Sequence, residues 1–199
     1  MKRKILFLSV LFIFSIATIA QPTINLGIKA GVNNSKVTFK RSEFTSESIV
    51  KTHFGAYGRV GFGNIYVQPE IYFSAKGGDV MDDESNTSER VARFNYNNVD
   101  VPVLLGIKIF DGDNSNLRIM AGPVFSFLTN KEVVDHDNFT KEYLEDHYFG
   151  YQYGVGVDVW NFFLDARMEH GANNLYSYPN RDLEGKNKTF MVTVGFRIL

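Results

Sequence analysis

The chain has 199 residues, no cysteine, 21 basic against 22 acidic side chains, and 18 Phe with 10 Tyr. The missing cysteine excludes disulfides, thiolate-held zinc and thiol catalysis, and a formal charge of −1 offers no basic excess for nucleic acid, so no nucleic-acid partner is expected. Lys2, Arg3 and Lys4, the apolar run Ile5–Ile16 and the small residues Ala17-Thr18-Ile19-Ala20 read as a secretory signal peptide over 1–20. The run is shorter than the roughly 20 residues of a helical membrane span. Residues 21–199 then form one domain of net charge −4, with no cysteine at its start to carry a lipid.

Along that domain a period of two dominates. Ile24, Leu26, Ile28 and Ala30 alternate with Asn25, Gly27, Lys29 and Gly31. Phe54, Ala56, Val60 and Phe62 oppose His53, Gly55, Tyr57, Arg59 and Gly61; after Gly63-Asn64, Ile65 through Ala75 oppose Tyr66 through Lys76. Val99 through Ile109 oppose Asn98, Asp100, Leu104, Gly106 and Lys108, and Leu117 through Phe127 oppose Arg118, Gly122 and Ser126. Phe149 through Val159, Phe162 through Met168 and Phe190 through Ile198 complete eight segments. Most reach the 9–11 residues that a tilted strand needs to cross a bilayer. Connections near Gly63, Asp113 and Asn161 are short, and those over about 33–51, 77–95, 129–147 and 172–188 are long and polar. The pattern predicts an all-β fold, an eight-stranded antiparallel up-and-down transmembrane β-barrel of outer-membrane type, with short periplasmic turns and long outer loops.

One face of each segment carries Gly and charge: Lys29, Arg59, Glu70, Asp100, Lys108, Arg118, Asp158, Asp165, Arg167, Glu169 and Arg197, nearly balanced in sign. A soluble lipocalin-like barrel would turn this face outward. In a membrane barrel it points inward, where an eight-strand interior is filled by side chains. Arg59, Glu70, Asp100, Arg118, Asp165, Arg167, Glu169 and Arg197 are expected to form an inner charge network that packs the barrel shut, in preference to an ion path. Tyr151, Tyr153 and Trp160 suit aromatic anchors at the membrane interface.

The run Val67-Gln68-Pro69-Glu70-Ile71-Tyr72-Phe73-Ser74-Ala75-Lys76-Gly77 resembles the QPELLYSxKG strand of Bacteroidetes outer-membrane β-barrel proteins, the PorT-like family. Asn95-Tyr96 through Leu105, Ala121-Gly122-Pro123, Leu164-Asp165-Ala166-Arg167 and Val194-Gly195-Phe196-Arg197 resemble further segments of that family in the same order. Asp100 stands where the family usually has Glu, Met168 where it has Tyr, and the chain ends in Ile198-Leu199 in place of an aromatic. The resemblance implies an outer-membrane location, outer-membrane lipid as surroundings, and insertion by the barrel-assembly machinery with Phe196 as the terminal aromatic. The family's link to protein secretion does not transfer with the barrel.

Signals of chemistry are sparse. His53 and His170 are expected near strand ends on the loop side, with His136 and His147 in the third long loop. Lipid A-modifying barrels use Ser, His and a carboxylate, and this chain has Ser126, His170 and Glu169, with His170 on the apolar register. Glu132, Asp135, Asp137, Glu142, Glu145 and Asp146 make an acidic third loop without calcium-loop spacing. Asn33, Asn86, Asn138 and Asn187 head glycosylation patterns, taken as marks of exposed loops. No catalytic residue, metal site or cofactor is expected. The expected role is structural or interactive, with a protein partner met through outer loops; a lipid A-modifying enzyme and a small pore or secretion-accessory barrel are the alternatives.

Overall fold

A sheet immersed in lipid must satisfy every backbone group internally, so alternating segments of this kind are stable only when the sheet closes on itself. The computed structural model describes residues 22–39, 44–82, 89–134, 144–178 and 183–199; the segment 1–20, expected to be a signal peptide, lies outside them. The strands are β1 (Thr23–Phe39), β2 (Phe44–Phe62), β3 (Ile65–Asp82), β4 (Glu89–Asp111), β5 (Ser115–Val134), β6 (His147–Val159), β7 (Phe162–Gly171), β8 (Tyr176–Tyr178) and β9 (Leu183–Arg197). Each long strand pairs antiparallel with the next, β7 pairs with β9, and β9 returns to β1 from Gly27↔Arg197 to Phe39↔Gly185. Eight strands thus form a closed wall. The three-residue β8 pairs only with the far end of β9, beginning at Tyr176↔Gly185.

Tight turns define one rim. Gly63 takes φ +59° and Trp160 φ 53°, both left-handed conformations that a two-residue hairpin requires. At the same rim the Leu26 amide donates to the Leu199 carbonyl at 2.8 Å, placing both ends of the described chain there. This is the periplasmic rim, and the longer connections mark the outer one.

The long polar connections expected from alternation are largely strand. β1 continues to Phe39, β2 starts at Phe44, β3 reaches Asp82, β4 starts at Glu89, β5 reaches Val134 and β9 starts at Leu183. Outside the bilayer no lipid enforces an apolar face, so the period-two signal fades while ladder pairing continues. Register irregularities between Ser48 and His53, and between Asn97 and Asn98, fall where the wall leaves the apolar belt.

Within the belt the faces are inverted relative to a soluble barrel. Leu105, Val155, Phe54 and Ile71 face outward, while Glu70, Arg118, Asp165 and Glu169 are buried. Several inward glycines sit beneath an aromatic ring from the paired strand: Gly27 under Tyr57, Gly106 under Tyr66 and Gly195 under Phe163. Any Cβ at Gly106 or Gly195 would run into the ring above it. Glycine is required there because the ring already occupies the side-chain position. Gly156 does the same for Arg118 and Asp165. Toward the outer end ordinary soluble logic returns, with Val37, Val80, Phe94, Leu144 and Leu175 all buried.

Candidate functional site

Strand parity aims the polar side chains of β1 to β7 and β9 at the barrel axis, and their pairing is continuous. The Arg59 guanidinium donates to Asp158 at 2.6 Å, and Arg118 donates to the other oxygen of Asp158 at 3.0 Å. Arg118 also pairs with Asp165, which receives Arg167 at 2.5 Å. Arg167 grips Glu70 through two bonds, 2.9 and 2.8 Å, and Lys29 donates at 2.5 Å to Glu70 Oε2, the oxygen that also accepts from Arg167 Nη1. Gln68 accepts from Arg59 at 2.7 Å and donates to Glu70 at 2.5 Å, closing a loop through the cluster.

A second cluster lies further toward the outer end. Lys76 donates to Glu169 at 2.6 Å and to the Tyr148 hydroxyl at 2.7 Å, and ion-pairs with Asp100 at 2.9 Å. Asn187 donates to Glu169 at 2.6 Å. Gln152 ties the clusters together, donating to Glu169 at 2.8 Å and to the Tyr72 hydroxyl at 2.6 Å. The Lys29 ammonium in turn sits 3.8 Å from the Tyr72 ring centroid.

Lys29, Arg59, Lys76, Arg118 and Arg167 therefore face Glu70, Asp100, Asp158, Asp165 and Glu169, five charges of each sign. Pairing of this kind offsets desolvation that would be prohibitive for a lone charge. The balanced set carries no net charge to favour ions of one sign. The side chains of Arg118 and Arg167 are 0 % exposed, so water does not run past them. Below them Arg59 lies 5.0 Å from the Tyr66 ring, and Tyr57 meets Phe163 edge-on at 5.0 Å, adding an aromatic layer at the periplasmic end.

Seven of the eight residues named for the inner network lie in these clusters. Arg197 does not: it is half-buried at the periplasmic rim, where it donates to the Trp160 carbonyl and to Asn161. Being the last residue of β9, it sits beyond the interior that parity alone assigned to it. Lys76, a polar-face residue outside the expected network, centres the outer cluster. Its shared parity with Glu70 on β3 was the available signal.

The histidines occupy separate surroundings. His53 is inside the barrel and not at its loop side, its ring nitrogens 2.6 Å from Asn33 Oδ1 and 2.9 Å from Thr193 Oγ1. His170 faces outward, its ring nearly parallel to those of Tyr151 and Tyr153 with centroids 5.3 and 5.8 Å away. Ser126 and Glu169 are inward, so the wall stands between them and His170. His147 is exposed at the start of β6, and His136 lies outside the described residues. Asp135, Asp137 and Glu142 also lie outside them, and among the described residues no group of three metal-ligating side chains forms. Lys131 donates to Asp146 at 2.6 Å, and this hydrogen bond and charge hold the Asp146 carboxyl below its ordinary range. The glycosylation patterns misplace two asparagines: Asn33 and Asn187 are buried strand residues, because β1 and β9 extend through the segments read as loop.

Several solved structures are similar to this chain. Among solved structures, OprG from Pseudomonas aeruginosa aligns over 90% of this chain and 96% of its own, at 10% identity and a TM-score of 0.50. Ail, the attachment invasion locus protein of Yersinia pestis, aligns over 88% and 99%, at 16% identity and 0.44. Neisserial surface protein A aligns over 86% and 96%, at 9% identity and 0.45. No curated protein matches the sequence. The family model described as the outer membrane protein beta-barrel domain matches residues 19–177. With that match spanning most of a closed, outward-apolar eight-strand wall, the chain belongs to the outer membrane protein beta-barrel domain family.

Proposed function

We propose that this outer-membrane barrel is a non-catalytic structural or interaction protein that meets a protein partner with its outer rim. The observation that carries this reading is the height of the wall on one side. β2, β3, β4 and β5 have 19, 18, 23 and 20 residues, against 13 in β6 and 10 in β7. Crossing the bilayer takes about 9–11. The surplus continues as paired sheet around buried Val80 and Phe94, a preformed surface that loses little conformational entropy on binding. The balanced, water-excluding interior supports a scaffold over a pore, and the separation of His170 from Ser126 supports binding over lipid hydrolysis.

Export through residues 1–20, insertion by the barrel-assembly machinery using the β9 end with Phe196, and membership of the PorT-like branch complete the proposal. A photo-crosslinking residue placed at Asn130 or Glu132 in living cells tests it. Discrete protein adducts are expected from these positions and not from Trp160; folded barrel without adducts from either outer position refutes it. Mass spectra of lipid A from cells with and without the gene are expected to coincide.

A further inference from the structure

On the lipid-facing register of β1 and β9 the side chains are apolar from the periplasmic end upward: Ile24 to Val32 on one strand, Phe196 to Phe190 on the other. The polarity then changes, through the mixed pair Asn34↔Phe190. Lys36 and Lys188 are Cα partners on that face, Lys188 is also the partner of His170, and Lys186 follows opposite Thr38. Like charges placed directly opposite on a sheet repel, and among the described residues neither Lys36 nor Lys188 has an ion-pair partner. Lys186 donates to the Ala172 carbonyl, which leaves its charge uncompensated.

The surroundings are shaped as well as charged. Two open clefts meet at Lys188. One, of about 480 Å³, is lined by Tyr151, His170 and Lys186; the other, of about 520 Å³, by Asn34, Lys36 and Phe190, with Glu47 as the carboxylate on its lining. Six residues nearer the periplasm on both strands, roughly 20 Å along the sheet, the small residues Ala30 and Gly55 open an apolar groove of about 450 Å³ beside Phe54 and Phe196. The lysines therefore stand at the top of the apolar belt, on the side where the outer-leaflet headgroups lie, with a greasy furrow beneath them.

We infer that this face holds one phosphorylated lipid of the outer leaflet. Its headgroup phosphate sits among Lys36, Lys186 and Lys188, and an acyl chain runs down toward Ala30 and Gly55. Clustered cations at headgroup depth select anionic lipid, and doubly charged phosphate neutralises the Lys36–Lys188 repulsion better than a carboxylate does. Both clefts and the groove lie on the lipid-facing side of the wall, which favours a lipid over a soluble anion. This site is independent of the protein partner proposed above.

Native mass spectrometry of the full barrel in neutral detergent tests the inference, with diphosphoryl lipid A, dephosphorylated lipid A and inorganic pyrophosphate as probes. The wild type is expected to prefer the diphosphoryl lipid at least tenfold. Combined Lys36→Gln, Lys186→Gln and Lys188→Gln should erase that preference, while Lys108→Gln at the periplasmic rim leaves it intact. Heat-modifiable migration on gels verifies folding, and the single Lys36→Gln and Lys188→Gln variants give a graded loss should the triple variant fail to fold. Retained preference in a folded variant set, equal binding of the dephosphorylated lipid, or displacement by equimolar pyrophosphate overturns the site.

Discussion

Replacing Arg167 by Met keeps most of the volume and removes one charge from the middle of the barrel. Arg167 supplies two bonds to Glu70 and one to Asp165, with all three side chains at 0 % exposure. After its loss Lys29 still holds Glu70 and Arg118 still holds Asp165, so neither acid is left bare. The interior nevertheless carries one uncompensated negative charge. Breaking a buried pair costs about 3–5 kcal/mol, and the surviving partners place this variant at the lower end, about 3 kcal/mol. With a urea dependence of about 2 kcal/mol per molar, the unfolding midpoint falls by about 1.5 M. Trp160 is the sole tryptophan and lies on a turn outside the network, so its fluorescence reports unfolding without being altered by the substitution. Adding Asp165→Asn restores neutrality at four charges of each sign, since Arg118 keeps Asp158. The double variant should be about 1.5 kcal/mol more stable than Arg167→Met alone, and so far from the sum of the two single losses. A midpoint shift below about 0.5 M, or strictly additive losses, would refute charge balance as what holds the interior.

Three further outcomes follow from the same geometry. Gly195→Val displaces the Phe163 ring and should destabilise the barrel by about 1–3 kcal/mol in the same urea assay, whereas Gly112→Val in the β4–β5 turn should cost less. Val155→Lys puts a charge on the lipid-facing wall and should cost about 2–4 kcal/mol in vesicles; a neutral outcome would contradict the outward assignment of that face. In planar bilayers the wild-type protein should give no sustained conductance steps, because side chains of Arg118 and Arg167 shut off water; regular single-channel openings would show that the plug moves.

Alternation made the belt legible because lipid and packed interior impose opposite demands on successive residues. Ile71 and Tyr72 could be assigned faces without any neighbour being known. Parity could not tell where the belt ends. Arg197 has interior parity but lies at the rim, and Asn33 and Asn187 look like loop asparagines although they point into the barrel. The outer reaches of β2 to β5 were illegible for a physical reason: beyond the bilayer, ladder hydrogen bonds carry the sheet and side-chain polarity no longer alternates with the lipid. Which charges meet was also beyond the sequence. Arg167 finds Glu70 across 97 positions through barrel closure, and Lys76 finds Glu169 across 93.

The paired interior also governs how such a chain can drift over evolutionary time. Outward positions need only remain apolar, so Val, Ile, Leu and Phe can exchange there almost independently of one another. An inward charge can change sign or vanish only in concert with a second site, often on a non-adjacent strand, as Glu70 on β3 is to Arg167 on β7. Substitutions should therefore accumulate freely on the wall and in correlated sets along the axis. A barrel under that regime keeps its shape while its text is rewritten, which accords with a fold shared with OprG at 10% identity.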